Sequence, residues 1–149
     1  MSLKEKVGEA MKTAMKAKDK EGLAAIRAIK SAILLAETED GANGEIDEAT
    51  ELKLLQKLVK QRRESAEIYT KENRQDLADT EINQAKVIEQ FLPKQLDDEE
   101  LKAALQKIVA EVGATTKKDM GKVMGTASKQ LAGQADGKRI SAIVGTLLG

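Results

Sequence analysis

Apolar residues recur every three to four positions along most of this chain, the spacing that places them on one face of an α-helix. The stripe Leu3, Val7, Ala10, Met11 and Ala14 predicts a first helix, and similar stripes over 23–34, 52–69 and 77–92 predict three more. Between them, the Gly-rich segment 40–44 is predicted to be a loop and 71–73 a break. The first 92 residues should therefore form about four helices.

Pro93, the single proline, marks the firmest boundary in the chain. It has no N–H to donate, and its ring disfavours helical backbone at Leu92. Asp97, with Glu100 three residues later, has the pattern of a capping box that opens a new helix. We therefore predict an N-terminal helical module over 1–92, a hinge with few contacts over 93–96, and a C-terminal module over 97–149.

The second module is predicted to contain three short helices. The first should end at Gly113, the second should begin at Thr116, and the third should begin at Asp136-Gly137. No segment of the chain sustains the alternation of apolar and polar residues that is typical of strands. The predicted fold class is all-α.

Residue types that most enzymes need are absent from the sequence. It contains no Cys and no His, so thiolate nucleophiles and thiolate or imidazole metal ligands are excluded. A hidden Ser–Lys or carboxylate-pair site remains as an alternative, but Ser128 and Lys129 are adjacent and would point to different sides of a helix. A calcium loop over 39–50 is rejected because Gly41 and Thr50 stand where oxygen ligands are required. We predict no catalytic residues, no metal and no cofactor.

The chain also lacks targeting and membrane signals. Its N-terminus has no apolar core of a signal peptide, and no apolar run approaches 18 residues, so we expect a cytoplasmic protein that does not enter membranes. Tyr69 and Phe91 are its only aromatic residues. A platform that stacks single-stranded bases needs several exposed aromatic rings, so that mode of binding is excluded.

Formal net charge is zero, but the charges are segregated along the chain. Residues 101–149 carry eight Lys or Arg against three Asp or Glu, while 31–51 carry seven acids and no base. Basic segments can face an anion, although solvated helix faces are the common alternative. The candidate anion-binding residues lie at two predicted helix starts, where free N–H groups also favour anions: Lys117, Lys118 and Lys122 at one, and Lys138 and Arg139 at the other.

Gly121 and Gly125 stand one turn apart in the helix that follows Lys118. Each glycine lowers helix stability by about 1 kcal/mol relative to Ala in a helix interior. The presence of two glycines in one helix therefore needs an explanation. One interpretation is close packing against a neighbouring helix, and the other is close approach of a phosphate backbone.

A second basic cluster, Lys60, Arg62 and Arg63, lies in the predicted third helix. Three cations in four positions span most of a helix circumference, so at least one should lie over the core and pair with an acid. They are further RNA-binding candidates, with intramolecular pairs to Glu64 and Glu67 as the alternative.

The chain resembles the YqeY-like proteins over nearly its whole length. The resemblance is carried, in order, by 59–65 (VKQRRES), 74–77 (RQDL), 92–96 (LPKQL), 119–125 (DMGKVMG) and 135–137 (ADG). Members of this family are similar to the C-terminal tail of the GatB subunit of tRNA-dependent amidotransferase. Three positions depart from the family pattern: Asn73 stands where Gly is usual, Gln84 where Glu is usual, and Phe91 where Tyr is usual.

The resemblance implies a helical N-terminal module, a three-helix C-terminal module and an association with tRNA. It does not extend to the ATP, magnesium and transamidation sites of the amidotransferase, so carbon–nitrogen ligase activity is not expected. Two functions remain open: a non-catalytic tRNA-binding or tRNA-associated protein, and a protein-interaction adaptor whose helical grooves bind a partner helix.

Overall fold

A computed structural model describes residues 2–39, 41 and 43–149 and confirms the all-α fold class. The described residues form seven α-helices, one short 3-10 helix and no strand. The chain divides into two compact units, 1–92 and 93–149. Each unit has an apolar core of its own.

The first unit contains four helices, in agreement with the prediction. Lys18 adopts a left-handed turn conformation after the first helix, and Asp19 then caps the second by accepting the N–H of Gly22 at 3.0 Å. Asp47 caps the third helix in the same way, accepting the N–H of Thr50 at 2.8 Å. The bounds are Leu3–Ala17 (α1), Lys20–Thr38 (α2), Glu48–Lys71 (α3) and Gln75–Glu89 (α4).

The core of the first unit follows the predicted apolar stripes. Small residues let α3 and α4 lie close together, since Ala66, Ala78 and Ala85 are all buried. The apolar cluster of this unit joins α1 and α2 to α3 and α4. Its buried members are Leu3, Val7, Ala14, Ala25, Ile26, Ile29, Ile33, Leu55 and Ile88.

The loop predicted over 40–44 is described only in part. Gly41, Asn43 and Gly44 all have positive φ values, which glycine and asparagine tolerate best and which are typical of tight turns. Asp40 and Ala42, also part of that prediction, lie outside the described residues.

The second unit is a three-helix arrangement whose boundaries match the local sequence signals. Asp97 accepts the N–H of Glu100 at 2.8 Å, and the Glu100 carboxylate accepts the N–H of Asp97 at 3.3 Å, which completes the capping box. Gly113 ends the first helix with a φ of 71°. The bounds are Asp98–Val112 (α5), a 3-10 helix at Lys117–Asp119, Met120–Gln130 (α6) and Gly137–Leu147 (α7).

The segment 93–96 differs from the expected hinge with few contacts. The N–H of Leu96 donates to the carbonyl of Gln134 at 3.0 Å, and the Gln95 side-chain amide donates to the carbonyl of Gly133 at 2.6 Å. Leu96 also packs against the core of the second unit. Gln95 and Leu96 therefore belong structurally to that unit.

Candidate nucleic-acid interface

The exposed side of α6 is composed of lysines and small residues. Val123 and Ala127 are fully buried, which fixes the rotation of the helix and turns the opposite side to solvent. The sequence of α6 contains no Asp or Glu, so the charges that α6 brings to this side are those of its lysines. Its exposed members are Gly121, Lys122, Gly125, Ser128 and Lys129.

The two glycines of α6 do not pack against another helix. A Cβ built on Gly121 or on Gly125 would meet no atom within 4 Å. The interpretation of Gly121 and Gly125 as close-packing residues inside the protein is therefore wrong, because the space beside them is solvent. Because neither glycine has a side chain, a phosphate backbone has room to approach α6 closely from outside. This second interpretation of the two glycines stays a prediction.

Lys129 belongs to this surface, and the sequence reasoning missed it. It follows Lys122 by seven residues, a spacing that returns to the same side of a helix. Lys118, in the 3-10 helix one turn before Lys122, is also exposed. No ion pair within the described part of the chain involves Lys117, Lys118, Lys122 or Lys129. We refer to Lys118, Gly121, Lys122, Gly125, Ser128 and Lys129 as the α6 face.

The start of this helical segment already holds a carboxylate. Asp119 accepts the N–H groups of Thr115 at 2.9 Å and Thr116 at 3.3 Å. These two backbone hydrogen bonds, together with the positive charge of Lys122, hold the pKa of Asp119 below its ordinary value. Asp119 therefore places a negative charge at this helix start, where an outside anion was expected, and the lysine side chains remain the candidate ligands for phosphate.

The start of α7 is likewise committed to intramolecular contacts. The side chain of Asp136 accepts the N–H of Arg139 at 2.8 Å. The Arg139 guanidinium donates to the carboxylate of Asp98 at 2.8 Å and to the carbonyl of Leu96 at 3.0 Å. Of the two cations predicted here, Arg139 ties α7 to α5, whereas Lys138 is exposed.

The two basic helix starts lie at opposite ends of the α6–α7 pair. A Cβ on Gly145, in the last turn of α7, would lie 3.9 Å from Cε of Met120, the first residue of α6. The helices are therefore antiparallel. Since α6 has 11 residues, about 16 Å of helix separates its start from the start of α7. Lys138 is thus remote from Lys117 and Lys118.

The basic cluster of α3 is mostly paired within the first unit. Arg63 forms an ion pair with Glu89 of α4 at 2.7 Å, rather than with Glu67. The Nε of Arg62 donates to the side-chain oxygen of Gln84 at 3.2 Å. Lys60 is exposed. The expected pairing with an acid is therefore found for Arg63, although its partner lies on α4 and is neither Glu64 nor Glu67, and RNA binding by this cluster stays a prediction.

The described part of the chain brings together no metal-binding cluster. No group of three or more Asp or Glu side chains there is placed to hold a metal ion. The core is made of apolar side chains, and no polar or charged residue in that part is buried. None of its helices is both long enough and apolar enough to cross a membrane.

Comparison with known proteins adds a family and a relative. The model of the family described as Yqey-like protein matches residues 4–148. The chain is 34% identical over 106 residues to "Altered inheritance of mitochondria protein 41, mitochondrial" of Clavispora lusitaniae. That alignment covers 70% of this chain but only 61% of the relative's length.

Proposed function

The chain belongs to the YqeY-like protein family, and from that premise we propose that it is a non-catalytic protein that binds tRNA through the α6 face. The observation that carries the proposal is the α6 face itself, which has three exposed lysines and two exposed glycines, together with the absence of Asp and Glu from α6. Phosphate contacts position a protein on RNA, and lysine is a strong point-charge ligand for them.

The geometry of the α6 face suits a phosphate backbone better than a small anion. Lys122 and Lys129 are two turns apart, so their positions differ by about 10 Å along the helix axis. Two charges at this separation can contact different phosphates of one backbone. Gly125 lies between them with no side chain, so a backbone can approach the helix closely there. A small anion would instead need several donors converging on one point.

Structured RNA is the favoured nucleic acid for two reasons. The sequence has only two aromatic residues, so recognition by base stacking is excluded and recognition by shape and phosphate position remains. The resemblance to the GatB tail points to tRNA as the structured RNA. We also propose that the protein acts in the cytoplasm, as its sequence predicts. The relative's name assigns that relative to mitochondria.

The test is a salt series of tRNA binding with the variant Lys118→Ala/Lys122→Ala/Lys129→Ala. The wild-type affinity should fall steeply with salt, because bound phosphates release counterions. The triple variant should bind more weakly, and the slope of log affinity against log salt should flatten by about one for each phosphate that the variant no longer neutralises. The matched comparison is Lys122→Ala/Lys129→Ala on α6 against Lys102→Ala/Lys107→Ala on α5, since each removes two exposed lysines from one helix of the same unit.

Gly125→Leu tests the close approach independently of charge. The substitution meets open space, so the unit should stay folded while the new side chain holds an RNA backbone away from the helix. Binding should weaken with an unchanged circular dichroism spectrum. If wild-type protein shows no salt-sensitive tRNA binding, or if the α5 control weakens binding as much as the α6 variant does, the proposal is wrong.

A further inference from the structure

α1 and α2 of the first unit enclose an apolar groove on their solvent side. The two helices are antiparallel, and an ion pair between Lys4 and Glu37 at 2.6 Å joins them at one end. The groove has a volume of about 250 Å³. Its lining consists of Lys4, Val7, Gly8, Met11, Lys30, Ile33 and Leu34.

The depth of the groove depends on Gly8. A Cβ built at this position would meet no atom within 4 Å, so the missing side chain leaves a gap in the wall of α1. Val7 and Ile33 are buried and form the floor. A glycine in the middle of a helix is costly, yet the packing within the unit does not require one here.

Large apolar side chains extend the groove along both helices. Met15 is 57% exposed and Leu34 is 51% exposed. Met15 follows Met11 by four residues and Gly8 by seven, which places the three on one line along α1. Neighbouring exposed apolar side chains beside a concave surface are typical of an interaction site, whereas a single one needs no explanation.

Cations surround this apolar surface. Lys12 lies one turn after Gly8 on α1, and Arg27 and Lys30 precede Leu34 at helical spacing on α2. No ion pair in the described part of the chain involves Lys12, Arg27 or Lys30. Two acids lie on these helix sides: Glu37, which is paired with Lys4, and Glu5, which precedes Lys12 by seven residues and is outnumbered by the three unpaired cations. The rim is therefore positive, and an occupant with negative flanks would complement it.

We propose that this groove binds an amphipathic helix of a partner protein, with apolar residues on its inner side and acidic residues on its flanks. A channel between two antiparallel helices accepts a third helix, in the helix-in-groove mode of recognition. The methionines suit this role because their flexible side chains adapt to different apolar surfaces. A lipid surface fits less well, because Val7 and Ile33 lie on the buried floor and not on a protruding ridge.

The experiment measures binding of a designed peptide to the full chain by fluorescence anisotropy. The probe is an amphipathic helix with leucines on one side and glutamates on the flanks, and the control peptide keeps the leucines but carries lysines on the flanks. Wild-type protein should bind the acidic peptide more tightly than the basic one. Gly8→Leu should weaken binding at least about tenfold by filling the groove, without unfolding the protein, because its Cβ meets open space.

Charge reversal at the rim provides a second arm. Lys30→Glu should weaken binding of the acidic peptide and strengthen binding of the basic one. Lys60→Glu is the matched control, because this lysine is exposed on α3 of the same unit and does not line the groove, so its reversal should leave both affinities nearly unchanged.

Three results would overturn the proposal. The first is equal binding of the acidic peptide by wild type and Gly8→Leu. The second is binding of anionic phosphatidylglycerol vesicles that Gly8→Leu abolishes, with no preference for the acidic peptide, which would assign the groove to lipid. The third is a concentration-dependent dimer in sedimentation that Gly8→Leu dissociates, which would assign it to a second copy of the chain. None of these results bears on tRNA binding by α6.

Discussion

Asp119 is a residue whose charge is linked to folding through two backbone hydrogen bonds. Its pKa lies below the ordinary value of 3.8 because the N–H groups of Thr115 and Thr116 favour the ionised form. A group whose pKa is lowered in the native state stabilises that state above its unfolded pKa, and the contribution is lost as pH falls through the native pKa. Asp119→Asn should therefore lower the melting temperature at pH 6, and the gap from wild type should close well below pH 3.8.

Glu99→Gln controls for the loss of one negative charge in this experiment. Glu99 is exposed in the same unit, and no hydrogen bond in the described part of the chain involves its side-chain oxygens. Its substitution should lower the melting temperature at pH 6 less than Asp119→Asn does, because Glu99 acts on the start of α5 through its charge alone. If Asp119→Asn and wild type instead differ by the same amount at every pH, the cap acts without its charge and the linkage is wrong.

The backbone conformation of Asn73 explains one departure from the family pattern. The family resemblance marked it as a departure from a usual glycine, without a reason. In the structure it has a φ of 58°, between α3 and α4. Glycine adopts that left-handed conformation freely and asparagine is among the few other residues that tolerate it, so the departure preserves the turn. Gln84 is a comparable case, because it still accepts a hydrogen bond from Arg62.

The two glycines of α6 should reduce the stability of this helix. Both have open space beside them and helical backbone. Gly121→Ala and Gly125→Ala should each raise the free energy of unfolding by about 0.5–1 kcal/mol, because alanine loses less backbone entropy on folding. Chemical denaturation of the full chain measures this change.

Gly133→Ala is the matched control for the helix glycines. Gly133 is buried and has a φ of 77°, so a side chain is strained there and the variant should be less stable than wild type. Destabilisation by Gly121→Ala or Gly125→Ala would contradict the prediction, because it would give these glycines a role inside the folded unit.

Helix positions were predictable because their signals are local. Asp97, Gly113 and Asp136 each determine a helix end through contacts with residues at most four positions away. The state of the basic residues was not predictable in this way. Arg139 contacts residues 41 and 43 positions earlier, and Arg63 contacts a residue 26 positions later. Whether a cation is free or paired depends on tertiary packing. The spacing of residues along one helix does not determine that packing.

Because each unit has a core of its own, we predict that each unit folds without the other. The buried residues of the second core all lie between Leu101 and Leu148. A unit of 57 residues (93–149) is near the lower limit for a stable domain, so individual hydrogen bonds should have measurable effects on its stability. The fragment 93–149 should fold cooperatively in a thermal melt, and so should 1–92.

Comparison of the fragments 93–149 and 97–149 tests how the segment 93–96 is used. The shorter fragment lacks the bonds from Gln95 to Gly133 and from Leu96 to Gln134, and Arg139 is left without its carbonyl acceptor on Leu96. Each hydrogen bond contributes about 1 kcal/mol, so 97–149 should be less stable by about 2 kcal/mol or more. A fragment over 90–149 should match 93–149, because the additional residues come from the other unit. Equal stability of 97–149 and 93–149 would restore the interpretation of 93–96 as a free hinge.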